Sequence, residues 1–162
     1  MLRVDVGLDS DALIVVGGSA AEVYTRAAYA SGDLDIVGSR DALVPVLLEW
    51  GFRKSSRQLW AHQEWKIVVD LVKELYRYNG SRERTRLITT PYSSMRVEAI
   101  EDSIVRRLIQ AKHWQVRGDF DWAVALADLE AASIDWSYAE AYAKSELVAD
   151  LLAEVRKRVP PP

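Results

Sequence analysis

The sequence contains no cysteine and only two histidines, His62 and His113, in 162 residues. The first absence excludes a disulfide scaffold, a thiolate metal site and a cysteine nucleophile. The second leaves too few imidazoles for a multi-histidine metal centre, so carboxylates are the expected ligands of any metal. Each histidine reads as a surface or partner-paired side chain rather than a catalytic base. No apolar run approaches the length of a membrane span. Met1 to Ser10 carries Arg3, Asp5 and Asp9 and does not read as a targeting segment. The chain is therefore expected in the cytoplasm, with no membrane partner. An excess of either charge is also missing: a net of -3 gives no global attraction to nucleic acid. What is present is an ordinary globular composition, 49% hydrophobic and 28% charged, with an unusual six tryptophans.

The small net charge hides an uneven distribution. Residues 1–75 carry -3, residues 76–117 carry +5, residues 118–154 carry -8, and the last eight residues add +3. The basic block places Arg77, Arg82, Arg84 and Arg86 around Asn79-Gly80-Ser81. Two readings stand side by side: a solvated loop, or a phosphate or RNA contact that exploits the arginine fork.

Hydrophobic periodicity divides the chain into a mixed front half and a helical back half. Leu13-Ile14-Val15-Val16 is an apolar run stopped by Gly17-Gly18, as expected of a buried strand. A helix capped by Ser19 is expected to run to about Ala30. Asp33–Val37 reads as a second strand, and 40–50 as a helix with Leu43, Val46, Leu47 and Trp50 on one stripe and Gly51 closing it. Strands are expected over Phe52–His62, Trp65–Val72 and Met95–Ile100, with a loop over Asn79–Arg86. Helices follow at about 101–116, 119–131, 136–143 and 145–158. Tyr138 and Tyr142, four apart beside Trp136, read as packing or as an oligomer or partner surface. The fold class is α+β: a small mixed sheet with flanking helices over residues 1–90, then a helical bundle over residues 91–162.

Two spacings carry chemistry. In Asp33-Leu34-Asp35-Ile36-Val37, alternation sends Asp33 and Asp35 to one face and Leu34 and Ile36 into the core. In Trp65-Lys66-Ile67-Val68-Val69-Asp70-Leu71-Val72, a lone carboxylate sits in an apolar strand, where it is costly unless compensated. Pairing the two strands would gather Asp33, Asp35 and Asp70. Three hard-oxygen donors there suit Mg²⁺, and a pair of ions would activate an attacking hydroxyl and steady a triphosphate. Just upstream, Gly17-Gly18-Ser19 joins a strand to a helix, a turn whose backbone can approach a ligand closely and whose helix N-terminus favours phosphate.

Taken together, Gly18-Ser19, Asp33-Leu34-Asp35-Ile36 and a later strand aspartate resemble the minimal nucleotidyltransferases of the polymerase β superfamily. Further on, Lys112 and Arg117-Gly118-Asp119-Phe120-Asp121 resemble the back half of abortive-infection-type nucleotidyltransferases, which include toxins of toxin–antitoxin pairs. The resemblance spans about residues 13–128. It implies a nucleotidyltransferase-like fold and transfer of a nucleoside monophosphate from an NTP to a hydroxyl of an RNA, protein or small-molecule acceptor. It implies that Gly17, Gly18, Ser19 and Lys112 bind the triphosphate and that Asp33, Asp35 and Asp70 bind two Mg²⁺ ions. It also implies that Asp119 orients Lys112 or acts as a base, with Asp121 as the alternative. A cognate antitoxin is the protein partner that follows from it, while a second copy of the chain is the partner that Tyr138, Tyr142 and the unassigned tryptophans suggest. The competing reading is a catalytically inactive member of the same fold that binds a partner protein through its helical half.

Overall fold

A computed structural model describes residues 13–72, 84–89, 91 and 94–159. Most of the expected loop at Asn79–Arg86, with Arg77 and Arg82, lies outside the described residues. The chain divides into two compact units. One joins the chain up to Ala20 to Ala30–Glu98, and the other joins Ala21–Tyr29 to the chain from Ala99 onward.

The first unit is built on a seven-stranded mixed sheet in the order β3-β4-β5-β2-β1-β7-β6. Its strands are β1 (Leu13–Val15), β2 (Leu34–Gly38), β3 (Arg53–Lys54), β4 (Leu59–His62), β5 (Ile67–Val72), β6 (Arg86–Thr89) and β7 (Ser94–Val97). β2 runs parallel to β5 and β1 parallel to β7, and the other pairs are antiparallel. Helix α2 (Arg40–Glu49) covers one face, where Leu43 and Leu47 meet Ile36, Phe52, Trp60, Val69 and Leu71. Gly51 ends that helix as expected. Its φ of +87° lets the Phe52 N–H reach back to the Leu47 carbonyl at 2.9 Å.

The expected strand at Phe52–His62 is in fact a hairpin of β3 and β4. Ser55 and Ser56 break it by bonding locally: Ser55 N–H donates to Leu59 O at 2.9 Å and Ser56 Oγ accepts from Leu59 N–H at 3.2 Å. Trp65 falls in the following turn, half exposed and stacked on His62 at 4.1 Å, rather than on the strand face. β6 was not foreseen, because it depends on pairing with β7 rather than on a pattern of its own.

The second unit packs α3 (Ile100–His113), α4 (Asp119–Leu129), α5 (Trp136–Ser145) and α6 (Ala149–Arg158). Their starts and ends fall within a few residues of the expected ones. α3 packs on α4 and α5, and α6 on α4 and α5. Alanines at the contacts (Ala123, Ala127, Ala139 and Ala143, all fully buried) let the helices approach closely around Ile104, Leu108, Leu126 and Val155. Asp135 caps α5 by accepting from the Tyr138 N–H at 3.0 Å. α1 (Gly17–Tyr24) is shorter than expected. The Thr25 hydroxyl donates to Ala21 O at 2.8 Å and accepts from Tyr29 N–H at 3.0 Å, and Arg26 and Ala27 turn to positive φ. Among the described residues no helix is long and apolar enough to cross a membrane.

Trp60 is 5% exposed in the sheet core, and its indole N–H has no hydrogen-bond partner among the described residues. Trp60→Ala should cost about 3–5 kcal/mol, whereas Trp60→Phe removes the unsatisfied donor as well as volume and should cost about 1 kcal/mol. Urea denaturation of the two variants measures both.

Candidate active site

Three carboxylates meet where β2 and β5 lie side by side. The parallel register sets Asp35 directly opposite Asp70, and Asp33 precedes β2 by one residue. Carboxylate oxygens of Asp33, Asp35 and Asp70 all lie within 4.8 Å of one another. Leu34 and Ile36, the intervening residues, pack on the opposite face against the α2 core. The period-2 alternation therefore delivers the acidic face that the sequence implied.

The electrostatics follow from the crowding. Burial, and then the Asp33 charge, push the Asp35 carboxyl up from 3.8 to about 6, against the opposing pull of the Gly18 and Ser19 amides. Asp70 is raised in the same way, by burial first and Asp33 second, with the Arg40 guanidinium opposing. Asp70 Oδ1 is buried and has no hydrogen-bond partner among the described residues. A half-buried set of hard-oxygen donors with one oxygen unspent is a donor set that a hard divalent cation would neutralise.

Arg40 is a residue that sequence reasoning missed. It opens α2 and donates to Leu71 O at 3.3 Å and Arg57 O at 2.9 Å, tying the β3–β4 turn to the strand that bears Asp70. Its signal was only a helix-start arginine, which is common.

The glycine turn is built differently from the expectation. Gly17 has φ +60°, and a Cβ there would stand 2.7 Å from Asp35 Oδ2. Only glycine fits such a backbone against that carboxylate. The Gly17 N–H donates to Glu98 Oε1 at 3.0 Å and the Gly18 N–H to Asp35 Oδ2 at 2.9 Å. Ser19 does not cap the helix. It lies inside α1, buried, with its hydroxyl donating to Asp33 O and accepting from Asp35 N–H, each at 2.9 Å. Ser31 Oγ also donates to Asp33 O, at 2.8 Å. The turn's close approach thus serves the carboxylates, and the donors expected to face a triphosphate face Glu98, Asp35 and the Asp33 carbonyl.

Lys112 and Asp119 lie in the helical unit, each with partners of its own there. Lys112 Nζ donates to Asp150 Oδ1 at 2.7 Å and to Leu147 O at 2.8 Å. Its hydrogen bond holds the Asp150 carboxyl below the usual range. Asp119 does not orient Lys112 as expected: its Oδ1 accepts from Arg107 NH1 at 3.0 Å, with both side chains over nine-tenths buried. The same guanidinium reaches Tyr29 OH at 3.1 Å, and Trp122 packs edge-on to the Tyr29 ring at 5.0 Å. Burial explains the difference, since a carboxylate enclosed beside an arginine pairs with it before any exposed lysine. Asp121 is exposed. Both histidines are partner-paired as expected, His62 Nδ1 with the Trp65 N–H at 3.0 Å and His113 Nε2 with Glu146 O at 3.1 Å.

No family model and no curated protein sequence matches the chain. Among solved structures it is similar to an antigenic nucleotidyltransferase-like protein from Paracoccidioides brasiliensis, with a TM-score of 0.55 and 13% identity over 91% of this chain and 85% of that one. The likeness, at that identity, is one of fold: the chain has a nucleotidyltransferase-like α+β fold, and its acidic triad is placed to hold a metal ion.

Two outcomes follow. A raised carboxyl binds its proton more tightly folded than unfolded, so Asp35 costs the metal-free protein stability as pH rises from about 4 to about 6. The melting temperature of Asp35→Asn in chelator should therefore gain on the native protein across that window, and MgCl₂ should close the gap by stabilising the native protein alone. Separately, Asp119→Ala leaves Arg107 buried without its counter-charge and should cost about 3–5 kcal/mol in a denaturant titration, the signature of a structural ion pair.

Proposed function

We propose that the protein is a Mg²⁺-dependent nucleotidyltransferase that moves a nucleoside monophosphate from an NTP to a hydroxyl acceptor. The observation that carries this reading is the convergence of Asp33, Asp35 and Asp70 within 4.8 Å beside a strand-to-helix glycine turn. Two of the carboxylates come from the β2 segment and one from its parallel neighbour β5. The nucleotidyltransferase-like fold of the chain supports the same reading.

In the reaction the acceptor oxygen bonds the α-phosphorus while the α–β anhydride bond breaks and pyrophosphate leaves. Bound Mg²⁺ supplies charge neutralisation at the phosphates and a more acidic acceptor hydroxyl. The chain itself supplies positioning. Ser19 and Ser31 fix the Asp33 carbonyl, Ser19 also fixes the Asp35 amide, and the β2–β5 ladder fixes the third carboxylate. Asp70, whose buried Oδ1 has no hydrogen-bond partner among the described residues, has an oxygen left to complete the cation's donor set.

On this reading the acceptor is an RNA end, a protein side chain or a small-molecule hydroxyl, and the setting is cytoplasmic. A role as the toxin of a toxin–antitoxin pair rests on the sequence resemblance and not on the site.

Asp35→Ala should abolish Mg²⁺-dependent labelling of acceptor from radioactive NTP, a loss of about 10³-fold or more, while leaving the circular dichroism spectrum unchanged. Native labelling by the folded variant would remove Asp35, and with it the triad, from the reaction.

A further inference from the structure

Glu98 is fully buried. A carboxylate held that deep is costly unless hydrogen bonds compensate it, and no part of the reaction described above employs it. It stands directly after β7, and its own N–H donates to Val15 O at 2.9 Å. That bond carries the parallel β1–β7 pairing one step past Val15↔Val97 and sets Glu98 beside the point where β1 gives way to α1. From there its Oε1 accepts the Gly17 N–H at 3.0 Å.

Gly17 opens α1, so its N–H and the next one, on Gly18, are among the helix donors that have no intrahelical acceptor. Two carboxylates take them, Glu98 just past β7 the first and Asp35 Oδ2 on β2 the second at 2.9 Å. The two bonds grip the peptide planes on either side of the Gly17 Cα. Glycine has no steric preference that would hold φ at +60°, so the left-handed turn is held by what its peptides are bonded to. The Asp35 Oδ2 in turn stands 2.7 Å from where a Gly17 Cβ would be, so the orientation of that carboxylate is coupled to the turn.

We propose that Glu98 is a positioning residue. By fixing the Gly17 peptide it aims the Gly18 N–H at Asp35 Oδ2, and so sets which way the central carboxylate of the triad faces. The geometric half of this proposal stands on the metal-free structure. Its consequence for cation affinity rests on the metal-site reading above.

The test uses the full chain with Glu98→Ala and Glu98→Gln. Amide hydrogen exchange in chelator should show the Gly18 N–H exchanging at least about tenfold faster in Glu98→Ala, with the β2–β5 ladder amides unchanged. Mg²⁺ affinity by calorimetry should fall about tenfold in the same variant, as when a supporting partner of a metal ligand is lost. Glu98→Gln keeps an acceptor oxygen and should restore both to within about threefold. Native Gly18 exchange in Glu98→Ala, or an equal acceleration of every amide, would overturn the proposal. If Glu98→Ala does not fold, Glu98→Asp, which keeps the charge but shortens its reach to Gly17, carries the same expectation, and native rates there overturn it equally. A native protein that shows no Mg²⁺ binding would remove the metal reading, and the Gly18 exchange would still decide the role of Glu98.

Discussion

The parallel register of β2 and β5 places Asp35 opposite Asp70, and much of the first unit can be understood as the means of tolerating that juxtaposition. Like charges on half-buried neighbours repel, and burial strengthens the repulsion by lowering the local dielectric. The surroundings answer with hydrogen-bond donors and charge. The Gly18 and Ser19 amides oppose the rise at Asp35, and the Arg40 guanidinium opposes it at Asp70. What these do not offset is chiefly desolvation and the Asp33 charge, which a bound cation would offset. Such a residue of unfavourable energy in an otherwise well-packed sheet is the pattern expected where binding, rather than stability, has set the side chains.

The glycine turn is the second half of the same arrangement. Its two N–H groups, free at most helix starts, are each held by a carboxylate, and Ser19 straps α1 to β2 through the Asp33 carbonyl and the Asp35 amide. The glycines are needed because the backbone comes within contact of Asp35, where any side chain at position 17 would collide. In the ligand-free chain the turn's donors are bonded to the acidic residues, so the turn acts on the geometry of the triad.

The helical unit resolves its charge in another way. Arg107 and Asp119 pair with both side chains nearly enclosed, and Tyr29 accepts a further hydrogen bond from the same guanidinium while its ring lies 4.5 Å beneath it. Lys112, by contrast, stays at the surface and ties α3 to the start of α6 through Asp150 and Leu147. Asp119 thus belongs to a buried ion pair and Lys112 to a surface clasp. The tryptophans are equally divided. Trp60 fills the sheet core, Trp122 packs on Tyr29, Trp136 lies under the Arg156 guanidinium, and Trp114 is 75% exposed.

The elements that sequence alone determined are those whose information is local. Alternation over 33–37 and 67–72 shows which side chains share a face, and 3.6-residue periodicity outlines the last four helices closely, because each rests on backbone geometry within one segment. The triad was legible for the same reason, once the two strands are set side by side. Glu98, Arg40 and the buried partner of Asp119 were not, because nothing near them in sequence marks them. Glu98 meets Gly17 across 81 residues, and Arg40 meets the β5 strand across 31. Only tertiary structure decided those, by choosing which strand lies beside β1 and which arginine is enclosed with Asp119. Burial then fixed the outcome, since an enclosed polar group must bond to whatever the fold brings within reach.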